Sequence, residues 1–300
     1  MWIQEPCEIN RRLLFLGTRK SSVYLVKGDR HMIAGAGGPW IVEELQRQID
    51  AFQIDMDRVQ YLLIGHSHYD HCGAATYLLK RYPHLKVLAS QGAQKLYTMK
   101  KAVNNMRNFN DMVMEKMNLG MEHDGISLAF DEIRVDRVLH EGDTIDLGEN
   151  IKFAVYETPG HSRCSMTIYD PKQKWLFPSD SLHVPVGKGD QFVSTASESF
   201  IEYLNSLKKL ENLDIDLCAW EHHGVMTGED VKDIIRRGIE FTFDFKRRIN
   251  QAVERSGSPE NVAHWITHDW LDKTDFEFLP YDVMFHVAQG MVKKAVEEKI

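Results

Sequence analysis

No apolar run in this 300-residue chain approaches the roughly 18 residues that a membrane span needs. The amino-terminal stretch MWIQEPCEINRR carries acids and lacks an apolar centre, so it does not read as a secretory signal. Cysteine is sparse: Cys7, Cys72, Cys164 and Cys218 are scattered and form no C-x-x-C pair, which leaves buried, reduced thiols as the expectation. Basic charge is not in excess. Lys and Arg total 36 against 44 Asp and Glu, a formal charge of −8 that argues against a general nucleic-acid binder. There is no Walker lysine behind the glycine-rich Ala34–Gly38, whose spacing also misses G-x-G-x-x-G, so that segment reads as a turn entering a helix. Neither G-x-S-x-G nor an internal repeat is present. A cytoplasmic enzyme fits these absences best, with no membrane or nucleic-acid partner expected and a homodimer left open.

What is present is a succession of short strands and amphipathic helices. Leu13–Leu16, Val23–Val26 and Met32–Ile33 read as strands, and Trp40–Phe52 as a helix with Ile41, Leu45 and Ile49 on one side. Val59–Ile64 is a strand, Ala74–Arg81 a helix and Lys86–Ala89 a strand. One long helix is predicted from Gln94 to about Asn118; the methionines in and just after it (Met99, Met106, Met112, Met114, Met117 and Met121) could line an adaptable pocket, with a gap-filling core or cap the favoured reading. Strands return over Glu132–Gly160, Met166–Tyr169, Trp175–Phe177 and Asp216–Trp220. The rest reads as helix: Gly228–Ser256, Glu260–Leu271 behind a Ser258–Pro259 start, and about Tyr281–Lys299. The predicted organisation is a domain over residues 1–257 with a helical extension over 258–300 packed on it.

The densest chemistry lies in Gly65-His66-Ser67-His68-Tyr69-Asp70-His71-Cys72-Gly73, directly after a buried strand. Imidazole and carboxylate are the donors that borderline divalent cations prefer. On an extended segment His66 and His68 point to one side, and Asp70 and His71 sit where the next helix begins, within reach of a second ion. His161 in T-P-G-H, Asp180 after Leu176–Phe177 and His223 after the strand ending at Trp220 also lie at strand ends.

H-x-H-x-D-H, then T-P-G-H, a strand-ending Asp and a late His-Gly together resemble the metallo-beta-lactamase superfamily across His66 to Gly224. Within it, the run His68–Gly73, the segment Val87–Ser90 and Phe278-Leu279-Pro280 are similar to the thioesterase-like quinolone-signal response protein of bacteria. The resemblance implies an α/β fold, the αββα sandwich, here with additional carboxy-terminal helices. It also implies two divalent transition-metal ions (Zn or Fe, with Mn as a further choice). His66, His68 and His161 would take one ion, Asp70, His71 and His223 the other, with Asp180 bridging. His222 competes with His223 because the usual Gly-His-Gly reads Glu221-His222-His223-Gly224; the glycine after His223 favours the latter.

Two such ions would yield hydroxide near neutral pH to attack an ester, thioester or lactone of a small acyl substrate, with Asp70 as the catalytic carboxylate that orients the nucleophile. A phosphodiesterase of the same fold and a signalling protein acting through partner binding are the rival readings. Cys72 and Cys164 border the motifs but read as small buried residues rather than nucleophiles. His183 and His286 are candidates for substrate contact, each also readable as a core or surface histidine. The tail's many aromatic and aliphatic residues predict that it caps the metal-bearing edge; a dimer contact or an extension of the core elsewhere is the alternative use of them.

Overall fold

Leu13 and Phe15 turn to one side of their strand and Leu14 and Leu16 to the other, and both pairs are buried. Val23 and Leu25 alternate in the same way with Tyr24 and Val26 on the next strand. A strand buried on both faces must lie between two layers, and this pattern sets the architecture. The computed structural model describes residues 1–274 and 276–299, so Asp275 and Ile300 of the predicted tail lie outside the described residues.

Two seven-stranded sheets stack face to face. The first runs in the order 137–139, 86–90, 59–63, 31–34, 21–26, 13–18, 7–10, parallel through its first four strands and antiparallel after that. The second runs 2–3, 225–227, 217–219, 175–177, 166–170, 151–157, 144–148, parallel only between 175–177 and 217–219. Phe15, Tyr24, Met32, Phe153, Ile168 and Phe177 fill the space between the sheets.

The helices are α1 (Val42–Ala51), α2 (Tyr69–Cys72), α3 (Ala75–Arg81), α4 (Gln91–Thr98), α5 (Lys100–Lys116), α6 (Phe200–Leu210), α7 (Ile234–Ser256), α8 (Pro259–Lys273) and α9 (Tyr281–Glu297). Helices α1, α3, α4 and α5 cover the outer face of the first sheet, and α6 to α9 that of the second. This is the expected αββα sandwich. No helix among the described residues is long and apolar enough to cross a membrane.

Three differences from the sequence reading matter. The helix expected over 94–118 is two helices, broken at Met99, whose backbone is extended. Helix α6 has no counterpart in that reading, although Ser199 caps it, accepting from the Glu202 N–H at 3.1 Å, and Phe200, Tyr203, Leu204 and Leu207 mark its buried side. The expected helix from Gly228 begins as a 3-10 turn over Gly228–Val231 and becomes α-helical only at Ile234. The tail follows its predicted start, with Ser258 capping α8 ahead of Pro259; before it, Gly257 takes the left-handed conformation that ends α7. Trp270, Met284, Ala288 and Met291 of the tail share one core with α6 and α7.

Candidate metal centre

Four turns at the carboxyl ends of strands meet at one edge of the sandwich, following 59–63, 151–157, 175–177 and 217–219. Close backbone approach brings them together. A Cβ on Gly160 would lie 2.4 Å from the Tyr203 backbone, and Gly160 adopts a φ of +131°, so the glycine of T-P-G-H lets that turn sit directly on α6.

The turns deliver two groups of donors. His66, His68 and His161 form one: His161 Nε2 is 3.2 Å from His66 Nε2 and 2.8 Å from His68 Nδ1. Asp70, His71 and His222 form the other, with His222 Nε2 at 3.1 Å from His71 Nε2 and Asp70 Oδ2 at 3.4 Å from each. Asp180 Oδ2 lies between the groups, 3.2 Å from His71 Nε2 and 3.3 Å from His161 Nε2. The other oxygen, Asp180 Oδ1, is buried and makes no hydrogen bond.

The outer nitrogens decide what the inner ones present. His161 Nδ1 donates to the Thr195 carbonyl at 2.7 Å, His222 Nδ1 to the Lys20 carbonyl at 2.7 Å, and His71 Nδ1 to the Glu221 carboxylate at 2.8 Å. A neutral imidazole that donates outward offers a lone pair inward, so His71 and His222 direct two lone pairs at each other. Lone pairs in contact need positive charge between them. The electrostatics agree: burial disfavours a charged His71, yet Asp180, Asp70 and Glu221 outweigh it and raise its pKa above the ordinary value. Burial also works against charge on Asp70 and Asp180, and the neighbouring imidazoles nevertheless hold both well below the usual carboxylate range. In the first group burial dominates and brings His161 down to about 4. This donor set, whose shared carboxylate Asp180 keeps its second oxygen buried without a partner, fits metal cations.

Six of the seven residues named from sequence meet here, and His223 does not. Its Nδ1 donates to the Pro185 carbonyl at 3.0 Å, its ring packs near Trp2 and Phe276, and its Nε2 is buried without a partner. His222 holds the place expected of it. The reason lies in the backbone: His223 has a φ of +62°, the conformation that a glycine after the ligand would normally supply, and Gly224 at +85° extends the turn under Phe15 and Ile3.

His183 does not face the site. It is fully buried, donates from Nε2 to the Gly238 carbonyl at 2.9 Å and accepts at Nδ1 from the Tyr203 hydroxyl at 3.3 Å. Tyr203 also bonds Thr195 Oγ1 at 2.8 Å, so His183 lies behind the loop that steers His161. His286 does line the chamber. Sequence reasoning missed Glu221, whose only signal was an acid beside the late histidine pair, and Thr195, which acts through its carbonyl and leaves no trace in residue type. Cys72 and Cys164 are buried and unpaired, and burial pushes the Cys72 thiol up to about 12, which suits a packing residue.

Above the cluster opens a chamber of about 700 Å³. Its floor holds His68, Asp70, His161, Asp180 and His222, and its walls come from α5 and from the tail. Met106 is the one methionine of the α4–α5 region among its described lining residues. Phe276 stands over His222 with ring centroids 4.9 Å apart.

A probable metallo-hydrolase of Bacillus subtilis (strain 168) is 24% identical over 251 residues, covering 78% of this chain and 74% of that protein. A hydroxyacylglutathione hydrolase of Legionella pneumophila (strain Paris) is 26% identical over 161 residues, 54% of this chain and 48% of that protein. The chain thus spans about half the length of that relative. Among solved structures, a metallo-beta-lactamase family protein of Thermus thermophilus superposes with a TM-score of 0.64 at 14% identity, covering 96% of this chain and 93% of that one. An archaeal superfamily protein from Sulfolobus tokodaii gives 0.59 at 21%, covering 77% and 86%; at such identities the likeness is one of fold. The superfamily's sequence profile matches residues 16–222, more than half of the chain, and the chain belongs to the metallo-beta-lactamase superfamily.

Proposed function

We propose that this protein is a dinuclear metal-dependent hydrolase that cleaves an ester, thioester or lactone of a small molecule. The observation that carries the reading is the meeting of two three-residue donor groups on either side of Asp180 Oδ2. His66, His68 and His161 would hold one ion, Asp70, His71 and His222 the other, and Asp180 would serve both. Zinc, iron and manganese all accept imidazole and carboxylate donors. Such a pair supplies Lewis acidity and a water acidified to hydroxide at neutral pH.

The chain's own groups do the rest. Asp70 keeps part of its side chain exposed, 17%, and lines the chamber, which supports its reading as the carboxylate that would orient the attacking water. Glu221, Thr195 and Lys20 fix the ring orientation of His71, His161 and His222 from behind. The tail helices form a cap that keeps bulk water from the reacting carbonyl and sets what can enter. The name of the Legionella relative and the likeness to the thioesterase-like quinolone-signal response protein both favour a thioester. No Lys or Arg lines the chamber among the described residues, which disfavours a phosphodiester, whose charge a basic group would be needed to grip.

Metal analysis by mass spectrometry on protein expressed with ample metal, beside thioester, lactone and phosphodiester substrates, tests the reading. About two ions per chain and a preference for a carbonyl substrate are expected. A stoichiometry near zero, or an equal or better rate on the phosphodiester, would overturn it.

A further inference from the structure

Beyond the metal-binding floor, Glu198 is the only Asp, Glu, Lys or Arg among the described lining residues of the chamber, and His286 is the one histidine. Asp70 and Asp180 are engaged by the floor imidazoles, and the third lining carboxylate, Glu198, stands apart from them. Outside the described lining, Lys116 donates to the Leu279 carbonyl at 2.8 Å, and Arg163, 91% exposed, lies 3.9 Å from Glu198. The upper wall is mostly apolar, with Met106, Phe109, Trp270, Leu279, Val283 and Met291 beside Asn105 and His286.

A substrate arm leaving the reacting carbonyl along this wall meets hydrocarbon, aromatic faces and thioethers. A carboxylate on that arm would give up its hydration and find neither Lys nor Arg among the described lining residues to pair with. At the same time the cavity of about 700 Å³ is far larger than a two- or three-carbon acyl group requires and lies within the range for drug-sized ligands. Methionines on both walls, Met106 from α5 and Met284 and Met291 from α9, can re-pack around arms of different outline.

We infer that the substrate's acyl arm is uncharged, apolar and several carbons long, and that the chamber rejects acyl groups ending in a carboxylate. This rests on the hydrolase reading above, so the test separates the two. The octanoyl thioester of N-acetylcysteamine and its ω-carboxy counterpart share leaving group and length. The metal-loaded protein should hydrolyse the octanoyl compound with a kcat/KM at least about tenfold higher. The matching thioethers, S-octyl and S-(7-carboxyheptyl) N-acetylcysteamine, cannot be hydrolysed, and calorimetry should show the same order in binding.

Val287 lines the chamber and is 39% exposed, so Val287→Lys places a cation on the wall without burying it in the core. It should narrow or reverse the preference. Equal or better binding of the carboxylated thioether by the unaltered protein overturns the inference, as does failure of the S-octyl thioether to bind. Selective binding of the S-octyl compound without hydrolysis of either thioester overturns the hydrolase reading and leaves the inference about the chamber standing.

Discussion

The floor and the wall of the chamber are built by opposite means. On the floor, direction matters: three donor histidines take their orientation from two backbone carbonyls and one carboxylate, all held by loops at strand ends. On the wall, volume matters: aromatic rings and methionines from α5, α8, α9 and the turn between the last two are placed by packing against one another. A change on the floor should be felt as metal lost and a change on the wall as substrate selectivity altered, and the difference can be pressed from both sides.

The largest effect should come from the adjacent histidines. His222→Ala and Asp180→Ala should each lose at least one ion and reduce kcat/KM by about a thousandfold or more, since each removes a donor from the cluster. His223→Ala should keep its metal content, because its ring points to Pro185. Elemental analysis of the purified variants distinguishes the two, and loss of metal in His223→Ala alone would reverse the assignment.

Next in size is a pH effect from behind the floor. Burial lowers the His183 pKa from 6.5 to about 4. The unfolded chain therefore takes up a proton as pH falls below about 6.5, and the folded chain does not do so until about 4. Stability should fall across that window by ~3 kcal/mol from this residue, and the loss should be complete below it. Urea unfolding from pH 7.5 to 4.5 should show a shallower decline in His183→Gln than in the unaltered protein.

Glu221→Gln keeps the shape of the His71 contact and removes its charge. Metal affinity should weaken about 10- to 100-fold, read by competition with a chelator. The smallest effects belong to the wall. His286→Ala should alter KM by a fewfold with metal content unchanged. Phe285→Ala should leave kinetics alone and cost about 1–2 kcal/mol of stability, because the half-buried Phe285 is not among the chamber's described lining residues but stacks on His264 with centroids 4.1 Å apart. A change in metal content in either tail variant would erase the division between floor and wall.

How much of this was legible in the sequence follows the same division. H-x-H-x-D-H places four side chains within six residues, so their convergence needs only a strand end and one turn of helix, both visible in the pattern. The choice between His222 and His223 was not visible, because glycine is the usual sign of a positive φ and here a histidine takes that conformation. His183 looked like a pocket residue by its closeness to Asp180 in sequence, whereas the chain turns inward after Ser181 and buries it beneath α7. The apolar content of the tail pointed to a large buried surface, and residue types could not say which side chains face α7 and which face the chamber. Phe285 and His286 are neighbours with opposite answers.

The loop carrying His222 rests on the other end of the chain. The His222 ring donates to Lys20, 202 positions earlier, and the Trp2 indole donates to the His223 carbonyl across 221 positions. The donor group of His66, His68 and His161 is complete in sequence by residue 161, whereas that of Asp70, His71 and His222 must wait for the contacts between first strand and last to close. The first group still needs Thr195 and α6 to orient His161, but the second also needs the contacts between first strand and last, so its assembly reports on long-range closure, the slow part of folding in a sheet protein.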